Sequence, residues 1–118
     1  MNKRNIILIG MPGAGKSSVG VILAKVLGYE FIDTDLVIQH REKRLLREII
    51  ADEGNEGFLA IENEVNATLE ANKSVIAPGG SAIYGKEAME HFKEIGTIVY
   101  LKLSYEDPVS YTHLTLPT

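Results

Sequence analysis

Short apolar runs alternate with longer segments of helical pattern along most of this chain. The first run, NIILIG, leads into a glycine-rich stretch and a helical pattern over residues 16–27, which Gly28 would end as a C-cap. Further strands are predicted at YEFID, SVIAPGG and TIVYLKL. Further helices are predicted over residues 36–41, 45–52, 58–71 and 86–95. Strands separated by helices indicate βαβ units, and therefore an α/β fold with helices on both faces of a parallel sheet.

The helical pattern over residues 58–71 contains the clearest apolar stripe. Phe58, Ile61, Val65 and Leu69 recur at spacings of three and four residues. Such a spacing places side chains on one face of a helix. We therefore expect all four to line one buried face.

Composition limits the class of protein and its partners. At 118 residues the chain has room for one ordinary domain, and its formal net charge of −4 argues against a general nucleic-acid binder. No cysteine is present, which suits a reducing cytoplasm, and the apolar run of Ile6 to Ile9 is too short to span a membrane. We expect a cytoplasmic monomer with a small-molecule partner, and neither nucleic acid nor membrane.

The last ten residues depart from this pattern. The segment from Val109 to Thr118, VSYTHLTLPT, has no charge and no helical period. A DNA string resembling a transposon adapter from short-read library preparation translates to the same ten residues. The expectation is a native core over residues 1–108, cut short near Pro108, and a non-native tail over 109–118; a natural polar tail is the alternative.

The stretch between the first strand and first helix carries the strongest motif. Gly10, Gly15, Lys16 and Ser17 match the phosphate-binding loop pattern in full, in its confirming position between a strand and a helix. Backbone N–H groups and the helix N-terminus would hold phosphate oxygens. Lys16 would bind the β and γ phosphates, and the Ser17 hydroxyl would bind Mg²⁺. The predicted nucleotide-binding set, with ATP as the nucleotide, is Gly13, Ala14, Gly15, Lys16, Ser17 and Ser18.

Two carboxylates follow the second predicted strand, in FIDTDL. At i, i+2 spacing on an extended segment, Asp33 and Asp35 would point the same way, toward the ligand edge of a parallel sheet. One would help to hold the metal, and the other would accept a proton from an attacking hydroxyl. The alternative is that one of them only caps the following helix.

A second glycine turn, APGGSAIYG, follows the third strand. Gly79 and Gly80 would let the backbone approach a small ligand, and Ser81 would offer a polar side chain. A plain tight turn is the alternative reading of this stretch.

These motifs, together with the GFLAIENEV helix, resemble the shikimate kinase family in order and spacing over Asn5 to about Asp107. The resemblance implies a P-loop NTPase-type, nucleoside-monophosphate-kinase-like fold, incomplete at the C-terminus where the family has a lid. Since a closing lid completes the catalytic set, we expect this chain to bind nucleotide poorly and to be inactive or weakly active. The resemblance also implies transfer of the ATP γ-phosphate to shikimate. Lys16 and Asp35 would then be catalytic, Ser17 and Asp33 would bind Mg²⁺, and Asp35, Gly79 and Gly80 would bind the acceptor.

Two positions depart from the family pattern. Leu59 stands where the family usually has an Arg that reaches the shikimate carboxylate, and Ser81 replaces the third glycine of a triplet. Arg41, Arg44 or Arg47 could replace that charge, although a solvated helical face is the favoured interpretation. Two alternatives stay open: a kinase for another small hydroxylated acceptor, and a nucleotide-binding module without transferase activity.

Overall fold

The computed structural model describes residues 4–10, 14–103 and 112–115. Its strands and helices alternate in the order that the apolar pattern predicts. In chain order they are β1 (Asn5–Gly10), α1 (Ala14–Leu27), β2 (Glu30–Asp33), α2 (Thr34–Glu42), α3 (Leu46–Ala67), β3 (Ser74–Ala77), a 3₁₀ turn (Ala82–Tyr84), α4 (Lys86–Ile95), β4 (Gly96–Leu103) and β5 (Thr112–Thr115).

The strands form one sheet in the order β2-β3-β1-β4-β5. The first four are parallel, with Ile6 level with Val75 and Asn5 level with Gly96. Because β3 lies between β1 and β2, the carboxyl ends of these three strands meet at one edge. The α/β prediction, a parallel sheet flanked by helices, is therefore confirmed.

Side-chain alternation along the strands builds a core on each face of the sheet. Leu8 of β1 packs with Ala24 of α1, while Ile7 and Ile9 pack with Phe92 of α4. Successive strand residues point to opposite faces, so an uninterrupted apolar run is what a strand covered on both sides requires. A third cluster, around Ile38, joins α2 to α3.

Asn5 ties the elements together at the amino end of the sheet. Its side chain is 2% exposed. Its Nδ2 donates to the carbonyl oxygens of Ala71 and Ile95, each at 2.9 Å, and its Oδ1 accepts from the Ser74 amide at 3.0 Å. One buried amide thus joins β1 to β3, to the chain before β3 and to the end of α4.

The two helices predicted over residues 45–52 and 58–71 are both present, as two halves of α3 that meet at a kink. Gly54, whose φ of 76° and ψ of 174° are not helical, separates them. The helix ends at Ala67, four residues earlier than predicted, and the Thr68 hydroxyl donates to the Glu64 carbonyl at 2.8 Å. Leu69 therefore packs with the Phe92 cluster, while Phe58, Ile61 and Val65 share the cluster around Ile38.

The segment over residues 109–118 includes β5, a strand that the sequence pattern did not predict. It pairs antiparallel with β4, with Leu114 level with Leu101. The threonines at its ends are β-branched, which suits a strand. The other residues of this segment lie outside the described part of the chain, and its non-native origin stays a prediction.

Candidate active site

A cleft of about 280 Å³ lies at the carboxyl edge of the parallel sheet. It is built by the first turns of α1 and α2 and by the chain that leaves β3. Its lining residues are Lys16, Ser17, Asp33, Asp35, Ala77, Pro78, Gly79 and Gly80. The structure thus brings together the residues predicted as catalytic, metal-binding and acceptor-binding.

The rest of the predicted nucleotide-binding set is distributed differently. Gly13 lies outside the described residues. Ala14 begins α1, two residues earlier than predicted, Gly15 follows it half-buried, and Ser18 is exposed on the same helix. Gly15 and Ser18 do not line the cleft.

Lys16 occupies the cleft as a buried cation, with 6% of its surface exposed. Burial lowers the pKa of its ammonium, because the charged form loses hydration. The carboxylates of Asp35, Asp33 and Glu62 oppose that shift by stabilising the positive charge. Three carboxylates are thus near enough to stabilise the positive charge of the buried lysine.

Asp33 and Asp35 both line the cleft. The prediction that they do so from one extended segment is wrong. Asp33 ends β2 and is the N-cap of α2, whereas Asp35 lies in the first turn of that helix, so they do not share an extended segment. Asp33 Oδ1 accepts the Asp35 backbone N–H at 2.9 Å. Asp33 therefore has the capping role that was the alternative reading, and still lines the cleft.

The carboxyl group of Asp35 carries a raised pKa. Burial is the main cause, and the neighbouring Asp33 charge adds to it. Lys16 opposes the shift. A half-buried carboxylate whose proton affinity is raised is a suitable group to accept a proton from a hydroxyl.

Glu62 of α3 was not predicted as a site residue, yet it adjoins the cleft. It is 2% exposed, and its Oε1 accepts the Ser81 hydroxyl at 2.7 Å. Its Oε2 has no hydrogen-bond partner within the described part of the chain. Burial raises the pKa of this carboxyl group, with Asp35 adding to the rise and Ser81 and Lys16 opposing it.

The sequence did contain a signal for Glu62. It stands four residues after Phe58 and three before Val65, which places a carboxylate on the apolar stripe of α3. A charged residue at such a position is rarely buried without a partner. That partner, Ser81, lies in the second glycine turn and comes beside α3 only in the folded chain.

A second cavity of about 290 Å³ borders the cleft at Glu62 and Ser81. Leu59 and Ala60 of α3 form part of one wall, and the chain from Ser81 to Glu87 forms the other. Leu59 is 37% exposed there. Its side chain offers no charge to a ligand in this cavity.

The arginines considered as replacements lie on an exposed face. Arg41 binds Glu64 at 2.9 Å, and Arg44 binds Glu42 at 3.0 Å and Asp52 at 3.1 Å. Arg47 is exposed on α3. None of the three lines the cleft or the adjoining cavity.

Comparison with known proteins identifies the family. The model of the family described as shikimate kinase matches residues 12–115. The chain belongs to the shikimate kinase family. The shikimate kinase of Methylococcus capsulatus is 40% identical over 113 residues, which are 95% of this chain and 63% of that protein. Shikimate kinase 2 of Yersinia enterocolitica is 39% identical over 101 residues, covering 86% of this chain and 58% of that protein.

Solved structures of the family agree with the fold. A shikimate kinase from Acinetobacter baumannii, determined in complex with shikimate, has a TM-score of 0.76 and 38% identity. That alignment covers 83% of this chain and 55% of the other. The shikimate kinase of Aquifex aeolicus has a TM-score of 0.76 and 35% identity, covering 86% and 61%. The chain therefore spans less than two thirds of these relatives' lengths.

In the described part of the chain, no helix combines the length and apolar character that crossing a bilayer requires. In residues 4–10, 14–103 and 112–115, His, Cys, Asp and Glu form no group of three or more suited to hold a metal ion.

Proposed function

We propose that this protein transfers the γ-phosphate of ATP to a small hydroxylated metabolite, with shikimate as the acceptor and shikimate 3-phosphate as the product. The observation that carries the proposal is one cleft lined by Lys16 and Ser17 on one side and by Asp35 on the other. Phosphoryl transfer needs these two sets of groups side by side, because the nucleotide and the acceptor react in line. The family membership and the shikimate bound to the Acinetobacter relative support the choice of acceptor.

The nucleotide would lie on the α1 side of the cleft. The first turn of α1 presents N–H groups that lack helical partners, and anions bind favourably at such an end. Lys16 adds a buried positive charge to the same place. A buried cation binds phosphate more strongly than a hydrated one, since water screens it less.

Ser17 and Asp33 would hold Mg²⁺. Both supply hard oxygen ligands to the same cleft, and Oδ1 of Asp33 is the atom that caps α2, which leaves Oδ2 for the ion. Magnesium in phosphoryl-transfer sites takes only a few protein oxygens, with phosphate and water completing its shell. Such an ion supplies charge neutralisation for the phosphates.

Asp35 would accept the proton of the attacking hydroxyl and orient the acceptor. Its raised pKa brings its proton affinity closer to what that transfer requires. Gly79 and Gly80 would contact the acceptor through their backbone, since both line the cleft without a side chain. The protein would act in the cytoplasm as a monomer, without nucleic acid or membrane partners.

The decisive experiment follows ADP release by the full chain with ATP, Mg²⁺ and shikimate, and compares Asp35→Asn. We expect shikimate-dependent ADP release that falls by about 10²-fold or more in the variant, the usual scale for losing a general base. ATP affinity should stay unchanged, because Asn keeps the shape. ADP release that ignores shikimate would contradict the proposal.

A second acceptor class is favoured by Leu59. Its side chain cannot pair with a carboxylate, so an acceptor without a carboxylate fits the adjoining cavity at least as well. A panel of hydroxylated acceptors, with and without a carboxylate, distinguishes the two classes by ADP release. If ATP binds and no acceptor stimulates turnover, the chain is a nucleotide-binding module.

A further inference from the structure

The chain that follows Gly79 and Gly80 is hydrogen-bonded to α3 at two places. Ser81 donates its hydroxyl hydrogen to Glu62 Oε1 at 2.7 Å. Seven residues later, the Ala88 backbone N–H donates to Asn63 Oδ1 at 3.0 Å. Glu62 and Asn63 are neighbours, so a single turn of α3 holds both ends of this segment.

Asn63 caps α4 from another helix. The N-cap residue of α4 is Gly85, which has no side chain to accept a backbone N–H from the first turn. Asn63 Oδ1 takes that role, and its Nδ2 donates to Glu87 Oε1 at 3.2 Å. A Cβ on Gly85 would collide with the Asn63 side chain, so the glycine is what admits this contact.

The two contacts span the 290 Å³ cavity beside the cleft. One wall of that cavity is the face of α3 with Leu59, Glu62 and Asn63, and the other is the segment from Ser81 to Glu87. The start of α4 can shift relative to α3 only by breaking the Asn63 contact. The 3₁₀ turn links the start of α4 to Ser81, because the Tyr84 N–H donates to the Ser81 carbonyl at 3.1 Å and the Gly85 N–H donates to the Ala82 carbonyl at 3.0 Å. A shift at Gly85 would therefore be passed to Ser81 and to the Gly79–Gly80 turn that lines the cleft.

We propose that Asn63 is a positioning residue for the acceptor turn, meaning Gly79, Gly80 and Ser81. It acts at a distance, by fixing the start of α4 against α3, and does not touch the ligand. This inference rests on the proposed function in one respect, because that function names shikimate as the ligand that the turn would hold. The placement of the turn itself is a property of the chain without ligand.

The experiment measures backbone amide exchange and amide chemical shifts in the full chain with Asn63→Ala. We expect exchange to become about fivefold faster at Ala88 and at Ala82, whose N–H donates to the Gly79 carbonyl, with shifted Gly79 and Gly80 amides. A fivefold change is the equivalent of about 1 kcal/mol for a lost cap. The amides of β1 should keep their rates. Asn55→Ala is the matched control, since it removes an exposed asparagine from the same helix.

Two further variants separate positioning from a general loss of structure. The double variant Asn63→Asp/Glu87→Gln keeps an oxygen for the Ala88 N–H and an amide donor between positions 63 and 87, and it should restore the wild-type amides of the turn. Gly85→Ala should expel the Asn63 side chain and reproduce the effect of Asn63→Ala, and the double variant Asn63→Ala/Gly85→Ala should be no worse than either single one. Additive effects would contradict the shared contact.

Ligand binding is measured by titrating the same variants with shikimate and with ATP. In Asn63→Ala the Kd for shikimate should rise about fivefold, while the Kd for ATP stays unchanged. If Gly79, Gly80 and Ser81 keep wild-type amides in Asn63→Ala, the inference is overturned and the contact is a cap only. If the wild-type chain binds no shikimate but the turn shifts as stated, the positioning role stands and the proposed acceptor fails.

Discussion

Asp35 and Glu62 approach the Cα of Gly79 from two different helices. A Cβ placed on this glycine would lie 2.8 Å from Asp35 Oδ1 and 3.0 Å from Glu62 Oε2. A Cβ contact of 2.8 Å is shorter than proteins show and one of 3.0 Å is unusually tight, so a side chain at position 79 would force both carboxyl groups to shift. The positions of the Asp35 and Glu62 carboxyl groups therefore depend on the glycine at position 79.

Gly79→Ala should disturb this arrangement, whereas Gly80→Ala should not. A Cβ at Gly80 meets nothing within 4 Å. We expect Gly79→Ala to lower the free energy of unfolding by about 1–3 kcal/mol, the usual cost of overpacking, and Gly80→Ala to change it by less than about 0.5 kcal/mol. Urea unfolding of the two variants beside the wild type measures both. If both variants lose the same amount of stability, crowding by the two carboxyl groups is not the reason that residue 79 is a glycine.

The buried carboxyl group of Glu62 should make stability depend on pH in a defined direction. Its pKa is raised above 4.5 in the folded protein, so the folded chain holds the Glu62 proton more tightly than the unfolded chain does. The stabilisation that this carboxyl group contributes to the folded state is fully present below pH 4.5 and is lost as the pH rises through the raised pKa. Glu62→Gln removes the titration and should therefore gain stability relative to the wild type as pH rises.

Urea unfolding at several pH values from 4.5 to 7.5 checks this slope. The matched control is Glu70→Gln, which changes an exposed carboxylate just beyond the same helix. The stability difference between that variant and the wild type should stay flat over the interval. If the stability difference between Glu62→Gln and the wild type does not change with pH, burial does not alter the pKa of Glu62.

Much of the fold could be predicted because each strand and helix carries its own local signal. The apolar run of β1, the helix ended by Gly28 and the boundaries of α4 all depend on neighbours in sequence. The break inside α3 could also be predicted, since the two helical patterns stop short of Gly54 on either side, and this glycine has a positive φ. The packing of both halves against Ile38 of α2 could not be predicted, because that contact forms only in the folded chain.

Site residues could be predicted where they belong to a local sequence motif. They could not be predicted where the site depends on a contact between two segments that are distant in sequence. Lys16, Ser17, Asp33 and Asp35 stand in local patterns with a stated role, and they line one cleft. Glu62 stands out as a carboxylate on the apolar stripe of α3, but its partner Ser81 is nineteen residues away in sequence. Their contact depends on how α3 packs beside the 3₁₀ turn, which is a tertiary property.

Asn5 offers a test of stability away from the cleft. Asn5→Ala would leave the Ala71 and Ile95 carbonyls and the Ser74 N–H without this partner at a buried position. An unsatisfied buried group costs about 1–3 kcal/mol, and we expect a total loss of roughly 3 kcal/mol because the costs are not additive. Asn72→Ala, at an exposed asparagine nearby, should cost less than about 0.5 kcal/mol. Thermal or urea unfolding gives both values, and similar losses would remove the argument for Asn5.

Leu59→Arg tests whether this side chain limits the acceptor. Leu59 and Glu62 line the same cavity beside the cleft, so an arginine at position 59 would bring a guanidinium into that cavity. Arg pairs with carboxylates through two parallel hydrogen bonds, and charged hydrogen bonds contribute about 1.5–3 kcal/mol. We expect the Kd for shikimate to fall roughly tenfold or more, with the Kd for ATP unchanged. Leu59→Gln is the uncharged control, and an equal gain in that variant would show that polarity, rather than positive charge, is what the cavity lacks.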